Sequence, residues 1–321
     1  MGAYTIRRLI LLIPTMFLVT VILFLVIRLM PGNVIDLMVM QHTQEQAGEL
    51  NLDEELIREM MGLDKPWYTQ YIEWIGGIIT RGDFGKSLWT ERTLVEEMKS
   101  RIPVTFELGL LTMIIANVIG IPIGVYSAIR QDTWLDYVGR TFAILSLATP
   151  AFWLATMLIV YGSIYLHWAP PIEYVPFSVN PIENLKILII PAVLTGTAMT
   201  GGMMSYLRTL TLEVLRQDYV RTAWSKGLRE RVVVIRHAMK NALIPLITMF
   251  APQIGMLIGG SVIMEQIFCL PGMGRYLLQT ITRRDYLLVS GTNLIYGGFA
   301  MFTILLTDLS YAWADPRVRY R

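Results

Sequence analysis

RRLILLIPTMFLVTVILFLVIRLM, residues 7–30, is a pair of arginines followed by an apolar run whose single further charge, Arg28, lies near its far end. An apolar run of about 20 residues crosses roughly 30 Å of hydrocarbon as helix, and it satisfies its own backbone hydrogen bonds where lipid offers none. No small-x-small cleavage site precedes Pro31, so the run reads as a retained first span, Leu9 to Met30, and not as a signal peptide. Arg28 snorkels outward from its end. Working outward, comparable runs recur at Val104 to Ala128, Thr141 to Leu166, Ile187 to Leu207, Ala242 to Met264 and Val289 to Trp313. The expected fold class is therefore an all-α integral membrane protein of about six transmembrane helices, with a partly helical segment between the first two.

Composition agrees with this. Of 321 residues, 54% are hydrophobic and 16% charged, and the mean hydropathy is +0.50, a balance that soluble domains of this size do not show. One cysteine, Cys269, excludes an internal disulfide framework and a cysteine-built metal site. A formal charge of +2 is too small to suggest nucleic acid, and the placement of the basic residues says more. With the N-terminus in the cytosol, about 15 Lys/Arg fall on roughly 64 cytosolic residues and about 11 on roughly 119 external ones. Both termini are then cytosolic, and Arg317, Arg319 and Arg321 in the tail reinforce it.

The external segment, 31–103, is acidic and must be solvated. Asn51 and Glu54 read as a capping box for a helix near Leu52 to Met61. Pro66 opens another helix, carrying Trp67, Tyr71, Trp74, Ile75 and Ile78. These aromatics either pack the segment onto its own membrane domain, the plainer reading, or meet a partner protein or the bilayer surface.

The loop after the fourth span, Arg208 to Asn241, is basic and punctuated as helix. Asp218 as N-cap and Gly227 as stop frame about two turns, Tyr219 to Lys226, too short a helix to stand undocked. A second helix is expected from about Arg229 to Leu243, with Val232, Ile235, Met239 and Ala242 on one stripe. By composition the pair is as well suited to an anionic lipid surface as to a partner.

Chemistry motifs are sparse. Gly85-Lys86-Ser87 resembles the end of a phosphate-binding loop, but Thr80 stands where the loop's first glycine is needed, so no ring of backbone N–H groups would hold phosphates. His42, His167 and His237 all fall outside the spans, which disfavours an intramembrane Ser-His pair or zinc site. Glu107 and Asp308 are costly in lipid and should face a neighbouring helix, a polar cavity or an interface, near opposite membrane faces. Thr197, Thr200 and Ser205 make the fourth span polar. With Glu107 and Asp308 they are the candidates for a path or gate, beside structural hydrogen bonding as the alternative role. Gly255-xxx-Gly259 permits close helix approach in the fifth span, and Pro122, Pro150 and Pro191 are candidate bends.

The run Asp218 to Ala223, Lys226-Gly227-Leu228, Arg236-His237-Ala238 and Asn241 to Pro245 closely resembles the signature loop of permease subunits in the dipeptide and oligopeptide ATP-binding cassette (ABC) importers. Arg7-Arg8, Gly62 to Pro66, Gly82 to Ser87, Glu265, Phe268, Pro271 to Arg275, Arg284-Asp285-Tyr286, Asp308, Tyr311 and Asp315-Pro316-Arg317 extend the resemblance over nearly the whole chain. Trp224-Ser225 departs from the family's usual basic residue and alanine. The resemblance implies a type I ABC importer transmembrane fold in the cell membrane. It divides the chain into a first helix (1–30), an external segment (31–103), and a five-helix core (104–321) with coupling loop 208–241 and external loop 265–288. It also implies a coupling helix, Arg221, Thr222, Ala223, Trp224, Ser225, Lys226 and Gly227, that docks on a separate ATPase. Implied partners are a second homologous permease, two ATPase subunits that bind ATP and Mg, and an external substrate-binding protein that delivers di- or oligopeptides. This chain would carry no enzymatic site and no cofactor. Relatives of this arrangement also carry nickel chelates, glutathione or oligosaccharides. An ion-gradient-driven secondary transporter is the alternative class, although deep ionisable groups and inverted repeats are not evident. A membrane scaffold that moves nothing is the third.

Overall fold

The computed structural model describes residues 2–29, 64–87, 89–90, 92–239, 246, 249–250, 253–255, 257, 259 and 262–314. The predicted helix at 52–61, most of the predicted fifth span and the C-terminal tail lie outside them. The described chain is helical: α1 (Gly2–Arg28), α2 (Trp67–Arg81), α3 (Leu94–Ile129), α4 (Trp134–Ala148), α5 (Ala151–Leu166), α6 (Pro181–Leu215), α7 (Asp218–Ser225), α8 (Glu230–Val232) running into a π-helical stretch (Val233–Met239), α9 (Val262–Ile267), α10 (Met273–Thr282) and α11 (Tyr286–Ala314).

Among the described residues four helices are long and apolar enough to cross a membrane: Thr5–Val26 within α1, α3, α6, and Tyr286–Ser310 within α11. They contain the predicted first, second, fourth and sixth spans except at the ends of the first and sixth. The third, expected as one run from Thr141 to Leu166, is instead two helices, α4 and α5, bent 89° to each other. The break sits at Thr149-Pro150. Proline has no N–H to donate and disfavours helical geometry in the residue before it, and Thr149 is extended while Pro150 caps α5. Pro122 and Pro191, by contrast, lie within unbroken α3 and α6.

The second helix starts earlier than expected. A capping box at its N-terminus, with Thr93 accepting from the Glu96 backbone and Glu96 accepting from the Thr93 backbone, begins α3 at Leu94. The helix therefore runs through Pro103 and across the boundary expected there. At 36 residues it is about 54 Å long, well beyond the hydrocarbon thickness.

α3 and α6 run parallel and form the most extensive helix seam among the described residues. Gly196 meets Thr112 and Ile115, Gly120 meets Thr200 and Met203, and Gly124 meets Met204 and Leu207. A Cβ at position 124 would lie 2.7 Å from the Met204 carbonyl oxygen, so only glycine allows this approach. α4 lies antiparallel to α6 on an adjoining side, with Gly201 against the Ala143 carbonyl and Gly139 against both Met204 of α6 and Ser127 of α3. α1 is attached through α11 in an antiparallel ladder from Arg8–Asp308 at one end, through Met16 against Gly298, to Phe24 and Leu294 at the other. The first described turn of α1 and the last described turn of α11 therefore lie on the same side of the molecule.

Candidate coupling surface and its supports

α6 ends at Leu215, and only Arg216 and Gln217 separate it from α7. Gln217, and not Asp218, is the N-cap, and no side-chain hydrogen bond is made there. Asp218 sits in the first turn, where a negative charge favours the helix dipole. Gly227 ends the unit as expected: its φ of +70° is the left-handed conformation glycine adopts readily, and its N–H donates to the Trp224 carbonyl.

α7 is two-faced. Val220 and Ala223 are buried against Val214, Leu215 and Val233, while Tyr219, Arg221, Thr222, Trp224 and Ser225 are exposed. Trp224, the departure from the resembling loops, is 44% exposed at the flank of this face. The segment after it differs from the expected straight helix. Instead of Val232, Ile235 and Met239, the buried residues are Val233, Val234 and Ala238, and Ile235 is exposed. A π-helical stretch closes i to i+5, which brings Val233 and Ala238 to one side where an α-helical reading separates them.

Beneath α7, Arg208 grips Asp136 through two bonds, Nε to Oδ1 and Nη2 to Oδ2, each 2.7 Å. Asp136 is fully buried and also accepts from the Asp132 backbone N–H at 3.1 Å. An exposed pair, Arg130–Glu230 at 3.3 Å, ties the α3–α4 turn to α8. Neither Asp136 nor Arg208 was a candidate from sequence. Each stands beside a loop, where charge ordinarily means solvation, and only the fold brings together residues 72 positions apart.

The opposite end carries the second set of buried polar groups. Glu107 Oε2 accepts from Tyr174 Oη at 2.7 Å and Asn184 Nδ2 at 2.9 Å, joining α3 to the α5–α6 loop and to α6. Burial, and then the Glu107 carboxylate, push the Tyr174 hydroxyl well above the usual tyrosine range, so it remains the donor. Glu265, expected on an external loop, is fully buried. Its carboxylate accepts from Thr105 Oγ1 at 2.7 Å and the Arg275 backbone N–H at 2.9 Å, and Thr105 accepts from the Met273 N–H. It therefore caps the start of α10 and pins it to α3. Ser87 Oγ donates to Asp285 Oδ2 at 3.0 Å, and Lys86 pairs with Thr93 in an isolated bridge, so this run holds the segment before α3 against α11.

The remaining candidates do not converge. Asp308 pairs with Arg8 at 3.1 Å, at the end of the molecule away from Glu107. Thr200 is buried, its hydroxyl donating to the Gly196 carbonyl, and it packs in the α3–α6 seam. Thr197 is half-buried and bonded to the Val193 carbonyl, and Ser205 is exposed. Among the described residues no group of three or more His, Cys, Asp and Glu could hold a metal ion.

Residues 120–320 match the family model described as binding-protein-dependent transport system inner membrane component. Residues 1–109 match the N-terminal model of the binding-protein-dependent transport system membrane component. The chain is 38% identical to the oligopeptide transport system permease protein of Bacillus subtilis, with 100% of both chains covered. It is 34% identical to the di/tripeptide transport system permease protein of Pseudomonas aeruginosa, again over 100% of both. It is 33% identical to the glutathione transport system permease protein of Escherichia coli, over 99% of each.

Proposed function

Because the chain belongs to the family of binding-protein-dependent transport system inner membrane components, we propose that it is the permease subunit forming half of the path of an ATP-driven importer of short peptides. The observation that carries the proposal is α7: a two-turn helix fixed to the end of α6 by Val220 and Ala223, with Arg221, Thr222 and Ser225 turned away from the molecule and Tyr219 and Trp224 exposed at its two flanks. A short helix cannot hold itself together in water. Clamped on one side and bare on the other, it is built to be pushed. We assign its exposed face to a cleft on an ATPase subunit, with ATP and Mg held by that subunit and its twin.

Closure of the ATPases would move α7 with α6 as one lever, since two residues of linker leave little slack. α3 and α4 would follow through the glycine seams and the Asp136–Arg208 pair. The path would run along the open face of α6 that includes Thr197 and Ser205, shared with a second, homologous permease. Glu107 and Thr200 serve the packing of this chain in our reading. The external substrate-binding protein would meet the surface around α10 and the segment before α3, and both termini would lie in the cytosol.

Peptide as substrate rests on the relatives named for oligopeptide and di/tripeptide transport, and the glutathione relative keeps that tripeptide in the substrate set. The test is uptake into vesicles holding the permeases and ATPases, with binding protein and ATP supplied, using a dipeptide, an oligopeptide and glutathione. Uptake that needs ATP and is lost in Trp224→Glu supports the reading. Uptake driven by an ion gradient without ATP would reject it.

A further inference from the structure

α2 has more apolar surface than its packing uses. Around the helix, Trp74, Ile78, Tyr71 and Ile75 form one sector, Tyr68, Ile79 and Ile72 the next, and Thr69, Thr80, Glu73 and Gln70 the side opposite. The first sector is covered: Trp74 stacks on Phe24 at 6.2 Å, Tyr71 meets Phe24 edge-on at 5.3 Å, and both join the cluster that holds Leu294. The second sector is bare, with Ile72 63% and Ile79 77% exposed.

The partners of the covered sector fix how deep α2 sits. Tyr71 Oη is 2.8 Å from Thr20 Oγ1, and its ring lies 6.5 Å from that of Phe17. Thr20 is about 9 Å in from the end of the apolar run at Val26, at the rise of a helix. Leu294 lies about 12 Å in from the start of α11 at Tyr286, measured in the same way. Both distances, taken along spans that run in opposite directions, fall inside a half-bilayer of about 15 Å of hydrocarbon. A helix packed at that level cannot have all its other sides in bulk water.

We propose that α2 is an interfacial amphipathic helix, its Tyr68, Ile72 and Ile79 stripe in contact with the acyl chains of the leaflet at the C-terminal end of α1. The polar sector, with the exposed Lys65–Glu73 pair at 2.7 Å, faces the headgroups and water. Helices of this pattern settle about 5–10 Å into the headgroup and acyl boundary, a range that includes the depth of Thr20, the hydrogen-bond partner of Tyr71. Continuity argues for lipid as the occupant, because the bare stripe adjoins α1, whose Phe17, Leu18 and Ile22 are themselves exposed. The segment before α3 would thereby be held at the membrane surface, which sets the height at which Phe84 and Ser87 meet α11.

The test uses the full chain assembled with its partner subunits in phospholipid nanodiscs, with Cys269→Ser and single cysteines Ile72→Cys, Ile79→Cys and, on the polar sector, Glu73→Cys. Each is spin-labelled and exposed to oxygen, which concentrates in acyl chains, and to a water-soluble nickel chelate. At 72 and 79 collisions with oxygen should exceed those with nickel several-fold, and at 73 the order should reverse. Nickel collisions at 72 and 79 equal to those at 73 would put the stripe in water and overturn the proposal. Shielding of 72 and 79 from both reagents would put a protein surface there and overturn it as well. The two stripe positions are independent variants, so either one that assembles decides the matter.

Discussion

Asp136 and Arg208 show how a single pair of residues can hold two helices, α4 and α6, in register. Removing one partner of a buried ion pair leaves an uncompensated charge, at a cost of about 3–5 kcal/mol. Asp136→Ala should therefore lower the thermal stability of the assembled protein by an amount in that range. Asp136→Ala with Arg208→Met, which removes both charges, should recover part of the loss, and a thermal-unfolding double-mutant cycle measures the coupling. A second cycle probes the other end. A Cβ at Gly272 would collide with the Glu265 carboxylate, so Gly272→Ala should break the same contact that Glu265→Ala removes. The double variant should then lose little more than either single one, where independent sites would add. Leaving the Thr105 hydroxyl and the Arg275 N–H without their acceptor costs about 1–3 kcal/mol. Sequence marks Glu107 and Asp308 as charges needing partners because they fall within apolar runs. It does not mark Asp136 or Glu265 as buried, because their shielding comes from helices far away in the chain.

At the scale of the element, α7 was readable from its punctuation and the stretch after it was not. Gly227 and the length of the run bound the helix to within a residue or two, since helix stops are local chemistry. The π-helical stretch depends on how Val233 packs on α6 and α7, which a 3.6-residue period cannot reveal. The break at Pro150 was visible as a proline, but its 89° angle is set by what α4 and α5 pack against. The two faces of α7 predict different failures. Val220→Asp puts a carboxylate into the cluster with Val214, Leu215 and Val233, so α7 should detach from α6. Peptide uptake should fall to background while the ATPases still assemble with the chain or hydrolyse ATP uncoupled. Trp224 lies outside that cluster, exposed at the flank of α7, so Trp224→Glu should weaken co-purification of the ATPases instead. Measuring uptake, hydrolysis and co-purification side by side separates the lever from its docking face. Thr222→Cys is a better crosslinking site toward the ATPase than Ala223→Cys, because Ala223 is buried.

Among the described residues the buried carboxylates stand at two ends, Asp136 at one and Glu97, Glu265 and Asp285 at the other, and the glycine-lined seams of α3, α4 and α6 join them. Four of the six spans read from hydropathy return as single helices, because length and apolarity are properties of the chain alone. Which of them touch is legible only in hindsight from glycine spacing, since Gly120, Gly124, Gly196 and Gly201 resemble any small residues until a neighbour's backbone fills the space. The antiparallel pairing of α1 with α11 puts the two described ends of the chain on one side, and the basic loops then decide which side that is. Cys269 makes the orientation measurable without engineering, being the protein's one cysteine, exposed, and located between α9 and α10 at the end that carries Glu265. A membrane-impermeant maleimide should label it in intact cells that lack the binding protein. In a Cys269→Ser background, Ser225→Cys at the end of α7 should react only after the membrane is opened. Labelling in the reverse order would place α7 outside the cell, beyond the reach of any cytosolic ATPase, and would leave the exposed Arg221, Thr222 and Ser225 without the partner proposed for them.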